Sequence, residues 1–229
     1  MSSDAVAAVV HTFAGYSRYW KPMQVSWSSV AERERLPLYW ATDQDPESLL
    51  RGQQLLYTPE PTWGARLYSA LLQLPLSTQY VLYLQEDQWL QQEPEADWLN
   101  RGLARMQREK LWYLGLAPVV SWPAAPYVGD EDLNDPTWYT VSHHAGLWYK
   151  PELMRSLRAE DSAFTHEVRI NREVHRHHRY ERYRTWPGCL PVLDASRQGR
   201  LTSAGHGWLR DRRLTLERPR HQVWKLERK

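Results

Sequence analysis

Two adjacent acids, Glu86 and Asp87, follow Gln85 at the end of the most strand-like run of the chain, residues 80–84. Neighbouring carboxylates at the edge of a buried strand repel one another unless something cationic sits close by. Hard oxygen ligands of this kind suit magnesium or manganese, which keep several waters and bridge to the phosphates of a substrate. The chemistry expected there is that of a phosphate ester held against a divalent metal. Other clusters are weaker. His175, His177 and His178 interleave with arginines, and two histidines on one helix face with no third ligand at a typical spacing read as a solvated basic helix rather than a zinc site. Cys189, the single cysteine, excludes an internal disulfide and a cysteine-based structural zinc; beside Gly188 and Leu190 it reads as filler.

The elements that would position the acid pair follow from hydrophobic periodicity. Residues 5–11 form a first strand that stops at Thr12-Phe13-Ala14-Gly15. A helix is predicted over 18–33, where Trp20, Met23, Trp27 and Val30 recur at helical spacing and Pro22 falls in the first turn. A second strand over 36–41 leads into Thr42-Asp43, with Asp45 capping a short helix from Pro46, and a third strand covers 54–58. Thr62 caps a helix whose stripe is Trp63, Leu67, Leu71 and Leu74, with Arg66 one position off it. Then come the strand at 80–84, a helix over 95–108, a strand over 111–116 and a long irregular loop over 117–137 with the look of a lid. Residues 138–144 alternate like a strand, Pro151 starts a short helix, 164–178 forms a basic one, and 190–202 reads as a strand and turn.

This alternation argues for an α/β protein with a mostly parallel sheet covered on both faces. Ligands of such sheets bind outside the carboxyl ends of the strands. Three features fall at that edge: the loop 11–16, Thr42-Asp43, and Gln85-Glu86-Asp87.

Composition sets bounds. The 229 residues suffice for one large domain, and no apolar run reaches the ~20 residues that span a bilayer. With no basic stretch opening a secretory signal, a cytoplasmic protein is expected. The net charge of +2 hides an asymmetry: residues 1–167 carry 13 basic and 21 acidic side chains, and 168–229 carry 16 and 6. So basic a segment attracts nucleic acid, an anionic membrane face, an acidic polymer or a nucleotide diphosphate, or is a solvated face. Thirteen tryptophans and thirteen tyrosines against two phenylalanines favour rings with a polar edge, used for sugar stacking or buried in a core.

The runs His11-Thr12-Phe13-Ala14-Gly15-Tyr16, Trp20-Lys21-Pro22, Trp63-Gly64-Ala65-Arg66-Leu67, Tyr80 through Asp87, and Gly146-Leu147-Trp148-Tyr149-Lys150 together resemble the GT-A glycosyltransferases. More narrowly they are similar to small bacterial and viral transferases in which Leu-Glu-Asp replaces the usual Asp-x-Asp motif. The resemblance covers roughly residues 5–202 and implies a GT-A, Rossmann-like fold in a single domain over 1–229. Residues 5–116 would form the nucleotide-sugar half, 117–205 the acceptor half and 206–229 a basic tail. It implies that Asp87 binds Mn2+ or Mg2+ with help from Glu86, and that His206 is a late additional ligand. Thr12 and Asp43 would hold the nucleoside, Arg66 the donor phosphates, with His11 and Gln85 also on the donor. Gln85 departs from the commoner aspartate.

The resemblance further implies a carboxylate base at a helix start, Glu167 or Asp161, taking the proton of the attacking acceptor hydroxyl with inversion at the anomeric carbon. Asp161 also has the look of an N-terminal cap. His143 or His144 would contact a sugar hydroxyl. The implied partners are a nucleoside-diphosphate sugar and a glycan or glycolipid acceptor, with peripheral contact to an anionic membrane and no specific nucleic acid. Two other readings stand beside this one: a nucleic-acid or anionic-polymer binding module carried by the basic tail, and an inactive relative that binds a nucleotide-sugar or glycan.

Overall fold

The computed structural model describes residues 5–45, 50–117, 140–186, 189–197 and 199–216. β1 (Val6–His11) is buried along its whole length, as a strand covered on both faces must be. A short 3-10 helix, Ala14–Tyr19, leads into α1 (Trp20–Arg33), followed by β2 (Leu38–Thr42) and β3 (Gln54–Tyr57). Next are α2 (Trp63–Gln73), β4 (Tyr80–Gln85), β5 (Gln88–Leu90), α3 (Trp98–Arg108) and β6 (Tyr113–Gly115). Past residue 140 the chain forms β7 (Gly146–Tyr149), α4 (Lys150–Ser156), α5 (Ala163–Arg176) and β8 (Tyr183–Thr185). It ends in β9 (Val192–Asp194), β10 (Ser196–Arg197), β11 (Arg200–Leu201) and α6 (Ser203–Asp211).

The central sheet has seven strands in the order β3-β2-β1-β4-β7-β6-β8, and only β7 runs antiparallel to its neighbours. This is the mostly parallel, helix-flanked α/β architecture expected from the sequence. Alternate residues serve opposite faces. Val6, Ala8 and Val10 of β1 join Leu82 and Leu84 of β4 beneath α1, α3 and α6. Ala7 and Val9 join Val81 and Tyr83 beneath α2 and α5. Trp20, Trp27, Trp40, Trp89, Trp98 and Trp148 are fully buried, so much of the tryptophan excess is core.

Several expectations are corrected. Residues 140–144 form no strand, and β7 begins only at Gly146. Their backbone is satisfied by side chains instead: Asn171 Oδ1 accepts from the amides of Thr140 and Val141 at 2.7 and 2.9 Å, and Glu167 accepts from the amide of His143. The cap of α5 is Ser162, in a reciprocal capping box with Thr165, and not Asp161. Residues 190–202 divide into three short strands: β9 pairs with β5 in a small second sheet, and β10 with β11 in a hairpin. The helix predicted from Pro46 and the loop 118–137 lie outside the described residues. The cap of α2 holds as read, with Thr62 accepting from the amide of Ala65.

Candidate functional site

The strand order reverses at β1, since the chain passes outward to β2 and β3 and then lays β4 on the other side of β1. A crevice forms where loops leave the carboxyl ends in opposite directions, and it is where open α/β sheets take their ligands. A cavity of about 490 Å3 opens at this point, within the usual range of small-molecule sites. His11, Thr12, Asp43, Arg66, Gln85, Glu86 and Asp87 all line it. Seven residues named from four separate stretches of sequence thus line one cavity.

Glu86 is only 8% exposed. Burial, and then the neighbouring charge of Asp87, push its carboxyl pKa upward, against hydrogen bonds from its own backbone and from Thr12. Burial raises Asp87 as well, reinforced by Asp194 and opposed by the Ser196 hydroxyl, which donates to Asp87 Oδ2 at 2.6 Å. The Asp87 carbonyl also accepts the amide of Ala195 at 2.7 Å, fixing the turn after β4 to the link between β9 and β10. Two adjacent acids, one buried and one half-buried, with a raised proton affinity suit a hard divalent cation, which would favour their ionised forms. Among the described residues no group of three His, Cys, Asp or Glu side chains is placed to hold a metal. The other coordination positions would fall to water and substrate oxygens, as is common for magnesium. His206 is exposed on α6 and does not line the cavity.

The opposite wall is cationic and aromatic. Arg66 comes off the first turn of α2, donates through Nε to the Glu60 carbonyl, and places a terminal nitrogen 3.7 Å from Asp43 Oδ2. Its guanidinium lies 5.5 Å from the centre of the Phe13 ring. Asp43 Oδ1 accepts from the amide of Ala14 at 2.7 Å, which folds the 3-10 helix back over the site. Thr12 accepts from the Trp20 indole at 2.9 Å. His11 is buried edge-on to Trp63 at 5.6 Å, and its Nε2 has no hydrogen-bond partner among the described residues. Burial and the charge of Arg66 lower its pKa to about 3, so the ring is neutral. Gln85 donates through Nε2 to the Tyr83 hydroxyl at 3.3 Å.

The two carboxylates put forward as bases lie outside this wall. Asp161 is buried in an ion pair with Arg169, accepts the amide of Arg158 at 2.9 Å, and through its carbonyl receives the amide of Gly64 at 2.9 Å. Its contacts tie α5 to the start of α2. There Gly64 admits no side chain, because a Cβ would collide with the Arg158 carbonyl oxygen. Glu167 is half-buried one turn beyond Ala163, which does line the cavity, and holds the amide of His143. His143 itself is buried against Trp63, with ring centres 4.5 Å apart. Its Nε2 meets His166 Nδ1 at 2.9 Å, and His166 Nε2 meets the Ser156 hydroxyl at 2.9 Å. His144 lies 3.5 Å from Asp194.

Sequence reasoning missed Ser196 and the wall made by the β10–β11 hairpin. Arg18 and Tyr19 both donate to the carbonyl of Gly199, the tyrosine at 3.0 Å, and hold that hairpin over the cavity. Gly199 has a φ of 72°, a signal of a tight turn that the Gln-Gly pair at 198–199 carried.

No protein-family model matches the chain, and no curated protein does. Among solved structures it is similar to 4-diphosphocytidyl-2C-methyl-D-erythritol synthase from Anaerococcus prevotii DSM 20548, with a TM-score of 0.53 and 10% identity over 86% of this chain and 94% of that one. S. aureus TarS 1–349 gives a TM-score of 0.48 and 14% identity over 83% of this chain and 58% of its own. The same TarS segment in complex with UDP-GlcNAc gives 0.44 and 16%, over 72% and 53%. At 10% identity the likeness to the first of these is one of fold.

Proposed function

We propose that the chain is a glycosyltransferase that takes a nucleoside-diphosphate sugar into the switch-point cavity and transfers the sugar to a hydroxyl of a glycan or glycolipid. The observation that carries this reading is the Glu86–Asp87 pair, its glutamate buried and its aspartate half-buried, sharing a cavity with Arg66. A diphosphate linking a nucleoside to a sugar needs positive charge at its centre and flat or polar walls at its ends. Arg66 supplies one charge. Phe13, Tyr16 and Trp63 supply rings, and Asp43 and the unpaired His11 Nε2 supply hydrogen-bonding atoms.

Mn2+ or Mg2+ held by Asp87 and Glu86 would withdraw charge from the departing diphosphate. Ser196 orients the Asp87 carboxylate, and Gly199 lines the cavity on that side. The acceptor oxygen attacks the anomeric carbon, its proton passes to a carboxylate base, and the bond from that carbon to the diphosphate oxygen breaks, inverting the centre. Glu167 is the proposed base, since it shares a helix face with Ala163, whereas Asp161 is committed to Arg169.

The test is melting temperature against a panel of nucleoside diphosphates and nucleotide-sugars, with manganese, with magnesium and with chelator. A metal-dependent rise with one nucleotide-sugar, followed by measured transfer to an oligosaccharide, is the expected result. No rise with any of them would overturn the reading.

A further inference from the structure

The end of the sheet opposite the cavity carries a belt of rings and cations. Trp112, just before β6, donates its amide to the Arg182 carbonyl at 2.7 Å and accepts the amide of Tyr149 at 2.9 Å. Tyr149 is 36% exposed and packs on Tyr80 at 5.8 Å, with Lys150 next in the chain. Four neighbouring strand ends, of β4, β7, β6 and β8, therefore bring Tyr149, Trp112 and Arg182 into one row, with Tyr80 buried against Tyr149.

Around the Trp112 indole stand three guanidiniums, of Arg155, Arg179 and Arg182, each 5.7 Å from the ring centre. Any two of them are thus within twice that distance, close enough to repel across roughly one Debye length. Glu152 answers Arg155 alone. Arg182 spends one nitrogen on the Lys110 carbonyl at 2.8 Å, and neither Arg179 nor Arg182 forms an ion pair with another described residue. Of the remaining acids near this end, Glu173 pairs with Arg169 and Glu181 is exposed. The cluster leaves a local excess of positive charge.

We infer that this belt docks the protein on an anionic lipid surface, with the cavity held at the far end of the sheet. Tryptophan, tyrosine, arginine and lysine are the residues that settle at the headgroup level of a bilayer, the rings at the interface and the cations on the phosphates. A single-stranded nucleic acid is the poorer fit. Trp112 is half-buried, crowded by guanidiniums and met edge-on by Tyr183 at 5.8 Å, so it offers no open face on which a base could stack.

The experiment is co-sedimentation of the full chain with vesicles of phosphatidylcholine alone and of phosphatidylcholine mixed with phosphatidylserine. Binding is expected only to the mixed vesicles, to weaken with added salt, and to fall about thirtyfold in the Arg179→Gln, Arg182→Gln double variant. The Arg179→Lys, Arg182→Lys pair should recover most of it. Removing the same charge from the end of α6 and its cap, with Arg210→Gln and Arg212→Gln, should leave it nearly unchanged. Unaltered melting temperatures certify each fold, and Arg179→Gln alone serves should the double variant misfold. Equal losses from both double variants, no binding to either vesicle, or displacement of the protein from vesicles by a short single-stranded RNA would overturn the inference.

Discussion

The Ser196 hydroxyl donates to Asp87 Oδ2 at 2.6 Å across 109 residues of chain, joining the β10–β11 hairpin to the end of β4. The bond favours the ionised carboxylate and aims it into the cavity. Ser196→Ala should cost about 1–3 kcal/mol of stability, as loss of a hydrogen bond to a charged group does. It should also move the pH needed for metal binding upward. Denaturation curves and manganese titrations at several pH values check both.

Raised carboxyl pKa values at Glu86 and Asp87 mean that the folded state holds protons the unfolded chain has already released. Stability from this pair is therefore present at acid pH and declines as pH rises above the ordinary carboxylate range. A divalent cation takes the protons' place. Manganese should raise the melting temperature near neutral pH, have little effect near pH 4, and lose its effect in Asp87→Ala. A rise of equal size in that variant would rule out the acid pair as the metal site.

The buried histidines act in the opposite direction. His11 and His166 have pKa values lowered to about 3 and about 4, each by burial first and by an arginine second, Arg66 and Arg169 respectively. The unfolded chain takes up their protons below about pH 6.5, so stability falls as pH drops from there toward those values. His166→Gln should flatten that acid limb in a plot of unfolding free energy against pH while lowering stability at pH 7.

Gly64→Ala should destabilise by about 1–3 kcal/mol, because the added methyl forces the start of α2 away from the Arg158 carbonyl. Gly207→Ala, where a Cβ meets nothing within 4 Å inside α6, should be neutral or stabilising by up to about 1 kcal/mol. Paired urea titrations compare them. Donor binding should weaken only in the first, since Trp63 and Arg66 flank that glycine.

Asp161→Asn and Glu167→Gln separate support from chemistry. The first leaves the largely buried Arg169 with only the more exposed Glu173 as its ionic partner and should cost about 3 kcal/mol in unfolding free energy. The second should abolish sugar transfer with nucleotide-sugar affinity nearly intact. Normal transfer by Glu167→Gln would remove it as the base.

What could be read from the sequence was local. β1 and β4 announce themselves as unbroken apolar runs, α2 by a threonine cap and a regular stripe, and the strand ends that follow carry the polar residues facing the cavity. What could not be read was set by contacts between distant segments. The backbone of 140–144 is held by Asn171 and Glu167 from α5, so its alternation never becomes a ladder. Asp161 resembles a cap until Arg169, two turns into α5, claims its carboxylate. Ser196 gives no local sign of its role, because its partner lies 109 residues earlier, in the turn between β4 and β5.

The hairpin that closes the cavity is also among the last pieces of the described chain to be made. A nascent chain that has reached α5 contains β1, β2, β4 and the Glu86–Asp87 pair, but not yet Ser196 to steady Asp87 or Gly199 to be gripped by Arg18 and Tyr19. A chain cut short before that hairpin would lack both contacts, and with them the side of the cavity that Ser196 and Gly199 line.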